Sequence, residues 1–308
     1  MRTARPLIAC TLLWCTHALA ADLTYVEPGG LDAELAATPA AVIVDARPLT
    51  DCLKRTLAGA HCLPATDLVG PNGELPSPPD LLWALGTAGL SGHERVVVVG
   101  DRGEARDFVA GLLYLAGQRR VDILPTPLTQ ALATGRYRTG PGRRRGIVRE
   151  PIFTAPMRDR SIVLHRELRH TLDGASDLVP VDGRTAQAFE RGHIPGAINR
   201  PLAALVAQGD AGTALKAGQR YVAYGREPMD SIALFTRLRA ADAGRVQVLI
   251  GGWRAWRAVP GYPVAGGVQQ DGGASSALVW RAVGLVLVIG AVALMVMTFS
   301  TRKAQRWT

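Results

Sequence analysis

Few side chains in this 308-residue sequence are equipped for covalent chemistry. The four cysteines are Cys10, Cys15, Cys52 and Cys62, and no thiol follows residue 62. There is no Cys-x-x-Cys, and His61, His93, His165 and His170 lack metal-ligand spacing. Neither a metal nor a cofactor is therefore expected. Two Asp-x-Arg pairs recur, Asp45/Arg47 and Asp182/Arg184. Two polar loops follow apolar runs: RVVVVG (95–100) leads into Asp101, Arg102 and Gly103, and RYVAYG (220–225) into Arg226, Glu227, Pro228, Met229, Asp230 and Ser231. A tight loop opening onto a helix N-terminus aims backbone N–H groups at an anion. Asp101, Glu104, Glu227 and Asp230 work against that, and Arg102 and Arg226 offset them in part. The two loops are the candidate binding segments.

The elements that position these residues come in two copies. IVDAR (43–47) aligns without a gap with PVDGR (180–184), then Gly59-Ala60 with Gly196-Ala197, and Pro64 with Pro201. Each copy continues through the apolar run and its loop to an amphipathic helix, FVAGLLYLAG (108–117) or SIALFTRLRAADAG (231–244). Each closes on a short strand, VDIL (121–124) or VQVLI (246–250). Strands alternating with helices of this length predict an α/β fold with a parallel sheet.

The ends read differently. Residues 1–20 have the layout of a signal peptide: Arg2 and Arg5, an apolar stretch from Leu7 to Cys15, and Ala18-Leu19-Ala20 before the cut. Ala282 to Phe299 is free of charge and, at about 1.5 Å per residue, covers roughly 27 Å as a helix, near the bilayer core. With Arg302, Lys303 and Arg306 behind it, this segment predicts a transmembrane helix at 280–300 and a cytoplasmic basic tail at 301–308. Residues 21–277 then lie in the periplasm, anchored to a bacterial inner membrane. The formal charge of +9 shrinks accordingly: residues 21–277 hold 29 basic and 26 acidic side chains, a net +3. Ten arginines fall between Arg136 and Arg169 against three acids. Compartment and distribution exclude nucleic acid as partner.

RGHIPGAIN (191–199), after an Asp-x-Arg and before VLIGGWRAWRAVPGYPV (248–264), resembles the rhodanese family. The resemblance spans residues 22–265 as a tandem. It implies a five-stranded parallel sheet with helices on both faces in each unit. The expected divisions are a degenerate rhodanese-like domain at 22–135 and a basic linker with the start of the second domain at 136–170. A rhodanese-like domain at 171–265 and a flexible tether at 266–279 follow. In the first copy Arg55-Thr56-Leu57-Ala58 replaces Gly192-His193-Ile194-Pro195, and Thr126-Pro127-Leu128 replaces Gly251-Gly252-Trp253.

In that family the residue ending the central strand is a cysteine that carries sulfane sulfur as a persulfide. Here those positions are Gly100 and Gly225, which supply no nucleophile. The resemblance also implies that Asp45, Arg47, Asp182 and Arg184 fix the loop after the first strand, and that His193 orders its turn. Trp253 and Trp256 pack as core or lid. Cys52 matches Phe189 and Cys62 matches Asn199, positions within reach of a structural disulfide in an oxidising compartment. The expected function is a catalytically inactive binding or scaffolding module in envelope sulfur or thiol metabolism, with a protein partner in the envelope and a small-molecule ligand not specified. The alternative is a sulfurtransferase or thiol oxidoreductase using Cys52 and Cys62.

Overall fold

The computed structural model describes residues 22–26, 29–36, 40–147, 152–174, 177–208, 215–216, 218–241 and 246–267. The expected signal peptide, most of the tether, the transmembrane helix and the basic tail lie outside the described residues. Among the described residues no helix is long and apolar enough to cross a membrane.

Two five-stranded parallel sheets carry the structure. The first is built from β1 (Leu23–Tyr25), β2 (Val42–Asp45), β4 (His61–Cys62), β5 (Arg95–Val99) and β6 (Arg120–Ile123), in the order β1-β6-β5-β2-β4. The second is built from β8 (Ile162–Val163), β9 (Leu178–Asp182), β10 (Ile198–Asn199), β11 (Arg220–Tyr224) and β12 (Val246–Leu249), in the order β8-β12-β11-β9-β10. The two orders correspond strand for strand. The central strands β5 and β11 show why the apolar runs were needed: Val96 to Val99 and Tyr221 to Tyr224 are buried on both faces, as a parallel strand between helical layers must be.

The long helices α4 (Gly103–Leu115) and α9 (Pro228–Ala240) follow the central strands and pack on one another, joining the sheets through one continuous core. At their crossing the Thr236 hydroxyl donates to the Asp107 carbonyl at 2.9 Å. Beside it Arg237 pairs with Asp107 at 2.7 Å and Arg106 with Asp107 at 3.0 Å, all three side chains being buried. Gly111 lies where a Cβ would overlap Thr236 Oγ1 and approach Ile232 Cγ2 to 2.7 Å. A glycine is required for that close approach.

One sequence expectation needs correction. The helices begin earlier than the apolar pattern placed them, at 103 rather than 108 and at 228 rather than 231. Their polar first turns read as loop because Arg106 and Asp107 are charged, yet both are buried against the second unit. The stretch 136–170, expected as a basic linker with the start of the second domain, is mostly exposed over 136–147 yet tied to the first unit. Its strand β7 (Thr139–Gly140) pairs antiparallel with β3 (Thr56–Leu57), Phe153 and Ala155 enter the core, and β8 is already an edge of the second sheet. Arg158 lies 4.2 Å over the Tyr114 ring and donates to the Gln118 carbonyl at 3.0 Å. The basic residues obscured these contacts because both their backbone and their guanidinium groups bind within the fold.

Candidate functional site

The site lies at the carboxyl ends of β9, β11 and β12, where ligands of parallel α/β sheets bind. Asp182 ends β9 fully buried. Its Oδ1 accepts the Arg184 backbone N–H at 2.9 Å, and its carboxylate takes the guanidinium through Nε at 3.0 Å and Nη2 at 2.6 Å. Arg184 Nη2 also donates to the Gly192 carbonyl at 2.7 Å. The pair thus ties the turn after β9 to the segment entering β10. In the first unit Asp45 and Arg47 repeat this, with Arg47 Nη2 donating to the Arg55 carbonyl at 2.7 Å. His193 faces the Phe189 carbonyl through Nδ1 at 2.9 Å and stacks on the Phe189 ring. The Tyr224 hydroxyl accepts the Ile194 N–H at 3.2 Å, and burial, reinforced by the nearby Asp182 charge, pushes its pKa far up. It therefore stays protonated and offers no base.

The loop after β11 is tightly closed. Helix α9 starts at Pro228, leaving Gly225, Arg226 and Glu227 as its open part. The Gly225 N–H donates to Ser231 Oγ at 2.9 Å, and the Ser231 hydroxyl donates to the Glu227 carbonyl at 2.8 Å. The Asp230 carboxylate faces the backbone N–H groups of Arg226 and Glu227. Burial first, and the Glu227 charge after it, raise its pKa, while Arg226 and those N–H groups act the other way. From below, α10 (Gly252–Arg257) gives the Trp253 N–H to the Gly225 carbonyl at 2.8 Å and the Arg254 N–H to the Arg226 carbonyl at 3.0 Å. Gly252 makes this possible: its φ is +60°, and a Cβ there would come within 3.0 Å of both loop carbonyl oxygens.

The consequence for position 225 is steric. A Cβ on Gly225 would overlap Asp230 Cβ, with the Asp230 carbonyl carbon at 2.8 Å and the Ser231 nitrogen at 3.0 Å. Position 100 is looser, its first neighbour being Arg106 Cβ at 3.3 Å. In that first loop Asp101 Oδ1 accepts the Thr129 N–H at 2.7 Å, and Asp101 lies 3.7 Å from Arg47. The Leu128 N–H donates to the Gly100 carbonyl at 3.1 Å, repeating the bond from Trp253 to Gly225. A Cβ on Gly103 would meet Val206 of α8 (Leu202–Gln208) at 2.7 Å, so the second unit borders the half-buried end of the first loop.

Of the eight candidate binding residues, the structure leaves Arg102 and Arg226 exposed. Asp101, Asp230 and Ser231 are engaged inside their own units, Glu227 lies 3.5 Å from Arg254, and Met229 packs against the core. Gly103 is half-buried. Sequence reasoning missed the groove outside the loop. One cavity of about 370 Å³ is lined by Arg184, Arg191, Arg226, Asp230 and, from the first unit, Glu104. It shares Arg184, Arg191 and Arg226 with a second of about 370 Å³ that adds Trp253, Arg257 and Val264. Arg184 lies 4.2 Å over the Trp253 ring, which forms one wall. Trp256, by contrast, is core, fully buried with its indole N–H donating to the Pro263 carbonyl at 3.0 Å. Arg191 sits beside His193 in the sequence, so the only advance signal was its place in RGHIPG.

Cys52, on α2 (Leu49–Lys54), and Cys62, on β4, are joined through their sulfurs with Cα atoms 5.9 Å apart, and neither is exposed. Among the described residues no group of three His, Cys, Asp or Glu side chains could hold a metal ion.

Several solved structures share the fold. YnjE superposes with a TM-score of 0.62 at 20% identity, over 80% of this chain and 69% of that one. A complex of an EanB variant with ergothioneine gives 0.61 at 18% identity, over 74% and 64%. The anaerobic ergothioneine biosynthesis enzyme from Chlorobium limicola, bound to trimethyl histidine, gives 0.60 at 18% identity, again over 74% and 64%. The chain thus spans about 64% of the length of the EanB structure. No curated protein sequence matches the chain. The family description "Rhodanese-like domain" matches residues 165–259, the segment that holds β9 to β12.

Proposed function

We propose that this protein is a tandem of rhodanese-like units that binds rather than transfers sulfur, exported and held at a bacterial inner membrane by its C-terminal segment. The strand order shared by the two sheets, and the Asp-x-Arg bracing repeated in both units, support reading the first unit as a degenerate copy. One observation carries the inactivity: at Gly225, where the sulfur-bearing cysteine of the family belongs, the loop leaves no room for a Cβ, and Asp230 faces its N–H groups. The groove beside the loop remains open. Its exposed Arg191, Arg226 and Arg257 suit anionic groups on a ligand or partner of the envelope's sulfur or thiol metabolism.

The test is a thiosulfate:cyanide assay on the full-length protein. The expected result is thiocyanate at the buffer level. Turnover that disappears in Cys52→Ser and Cys62→Ser would overturn the proposal in favour of an enzyme working through that pair.

A further inference from the structure

The segment joining the two units crosses directly over the bonded cysteines. The Gly142 N–H donates to the Cys52 carbonyl at 2.9 Å, the Arg143 N–H to the Ala60 carbonyl at 2.8 Å, and the Cys62 N–H to the Arg143 carbonyl at 2.8 Å. On one side Ala58 donates to the Arg138 carbonyl at 2.9 Å, next to the Thr56–Gly140 and Leu57–Thr139 pairing. On the other the Gly146 N–H reaches the Thr87 carbonyl at 2.7 Å and Arg145 pairs with Asp67 at 3.2 Å. Residues 138–146 are therefore a strap, hydrogen-bonded on both sides of Cys62 and continuous with the entry to the second unit.

Gly142 is where strap and sulfurs meet. A Cβ on it would overlap both Sγ atoms and lie 2.9 Å from the Cys52 carbonyl oxygen. The strap thus fits because the residue is glycine and because the two sulfurs share one bond. Two thiols occupy more space than one disulfide: non-bonded sulfurs sit at van der Waals separation, about 3.5–4 Å by ordinary heavy-atom contact. Interiors packed to this density give way by moving an element rather than by compressing. Among the described neighbours the strap is the exposed element, held by backbone hydrogen bonds and the Arg145–Asp67 pair and burying little side chain, whereas α2 and β4 belong to the first unit's body.

We propose that Cys52–Cys62 is a redox latch for the strap. A dithiol reductant transfers two electrons and two protons to the pair; the S–S bond breaks, two thiols form, and the reductant leaves as its own disulfide. The thiols then lift residues 138–146, releasing the backbone that carries the exposed Arg143 and Arg144 and the half-buried Arg145. The coupling is reciprocal: whatever lifts the strap opens the sulfurs to reductant. This inference does not rest on the proposed binding function.

Trypsin reads the latch directly, since the strap holds three consecutive arginines. The full-length protein is treated with trypsin with and without a dithiol reductant, and early cuts are assigned by mass. Cleavage after Arg143, Arg144 or Arg145 is expected to rise about tenfold or more on reduction, which follows a tenfold gain in the open population. Cleavage after Arg226, exposed in the second unit, should stay the same. A second variant avoids reductant altogether: Gly142→Ala, its disulfide verified by mass, should be cut faster in the strap and should be reduced faster than the parent. Equal strap cleavage in both redox states, or a rise at Arg226 to match, would overturn the latch. So would Gly142→Ala behaving as the parent in both readouts.

Discussion

Placing a thiol at position 225 is the most direct way to test the proposed reading of the loop. In Gly225→Cys the new Cβ overlaps Asp230 Cβ and approaches the Asp230 carbonyl carbon to 2.8 Å and the Ser231 nitrogen to 3.0 Å. Two of the three neighbours are backbone at the start of α9, so no rotamer change removes the conflict. Overpacking of this kind costs about 1–3 kcal/mol. If the loop shifts to relieve it, the Gly225 to Ser231 hydrogen bond is lost as well, at about 1 kcal/mol. For a body of this size each kcal/mol lowers the melting temperature by about 2–4 °C, so a total of about 1–4 kcal/mol should make the variant melt about 2–16 °C below the parent. Gly100→Cys is the internal comparison. Its Cβ meets Arg106 Cβ at 3.3 Å, a contact a small side-chain adjustment relieves, and its melting shift should be within about 2 °C. Differential scanning calorimetry gives both shifts, and the thiosulfate:cyanide assay gives the chemistry. Gly225→Cys should form no thiocyanate, because the Asp230 carboxylate still faces the N–H groups that would hold a persulfide. A Gly225→Cys protein that melts like the parent, or that turns over thiosulfate, would refute the steric argument.

Other perturbations address the bracing and the interface. Asp182→Ala strands the buried Arg184 guanidinium and should cost about 3–5 kcal/mol in chemical denaturation, with Asp45→Ala similar through Arg47. Gly111→Ala forces α4 and α9 apart at Thr236 and Ile232 and should lower stability by about 1–3 kcal/mol by the same measurement. The pH dependence of Asp230 has a definite sign. Its pKa is raised on folding above the ordinary value of 3.8, so the folded state holds the proton more tightly, and this residue's contribution to stability falls as pH climbs from 3.8 through the raised value. Asp230→Asn should therefore flatten that part of the stability–pH curve and help the protein at neutral pH; an unchanged slope would count against the shift.

Much of the scaffold was legible because it rests on patterns with a single physical solution. An apolar run such as RVVVVG between polar loops has few options other than a buried parallel strand, and the ungapped repeat placed Asp45 beside its counterpart Asp182. The helix starts were not legible, since Arg106 and Asp107 become buried only when a second unit supplies Arg237 as partner. The strap was hidden for a related reason: arginines dominate residues 136–149, while the contacts come from Gly142 and the backbone. The groove required the third dimension. Arg191, Arg226 and Arg257 lie on three separate segments, and no spacing along the chain brings them together.

The comparison between units separates residues kept for folding from residues kept for chemistry. The first unit lacks the Gly-His-Ile-Pro turn, yet Arg47 reaches eight residues ahead to the Arg55 carbonyl, as Arg184 reaches Gly192. It lacks the Gly-Gly-Trp segment, yet the Leu128 N–H meets the Gly100 carbonyl, as the Trp253 N–H meets Gly225. The side chains differ between the units and the backbone connections match. The Asp-x-Arg brace therefore serves the sheet edge whether or not any loop beside it can react, because a buried aspartate at a strand end requires a cation and N–H donors in either case. Substituting Arg47 should then destabilise the first unit as severely as substituting Arg184 does the second, although the second carries the open groove. If instead Arg184→Ala left stability intact and altered only binding in the groove, the brace would belong to ligand recognition, and the equivalence drawn between the two units would fail.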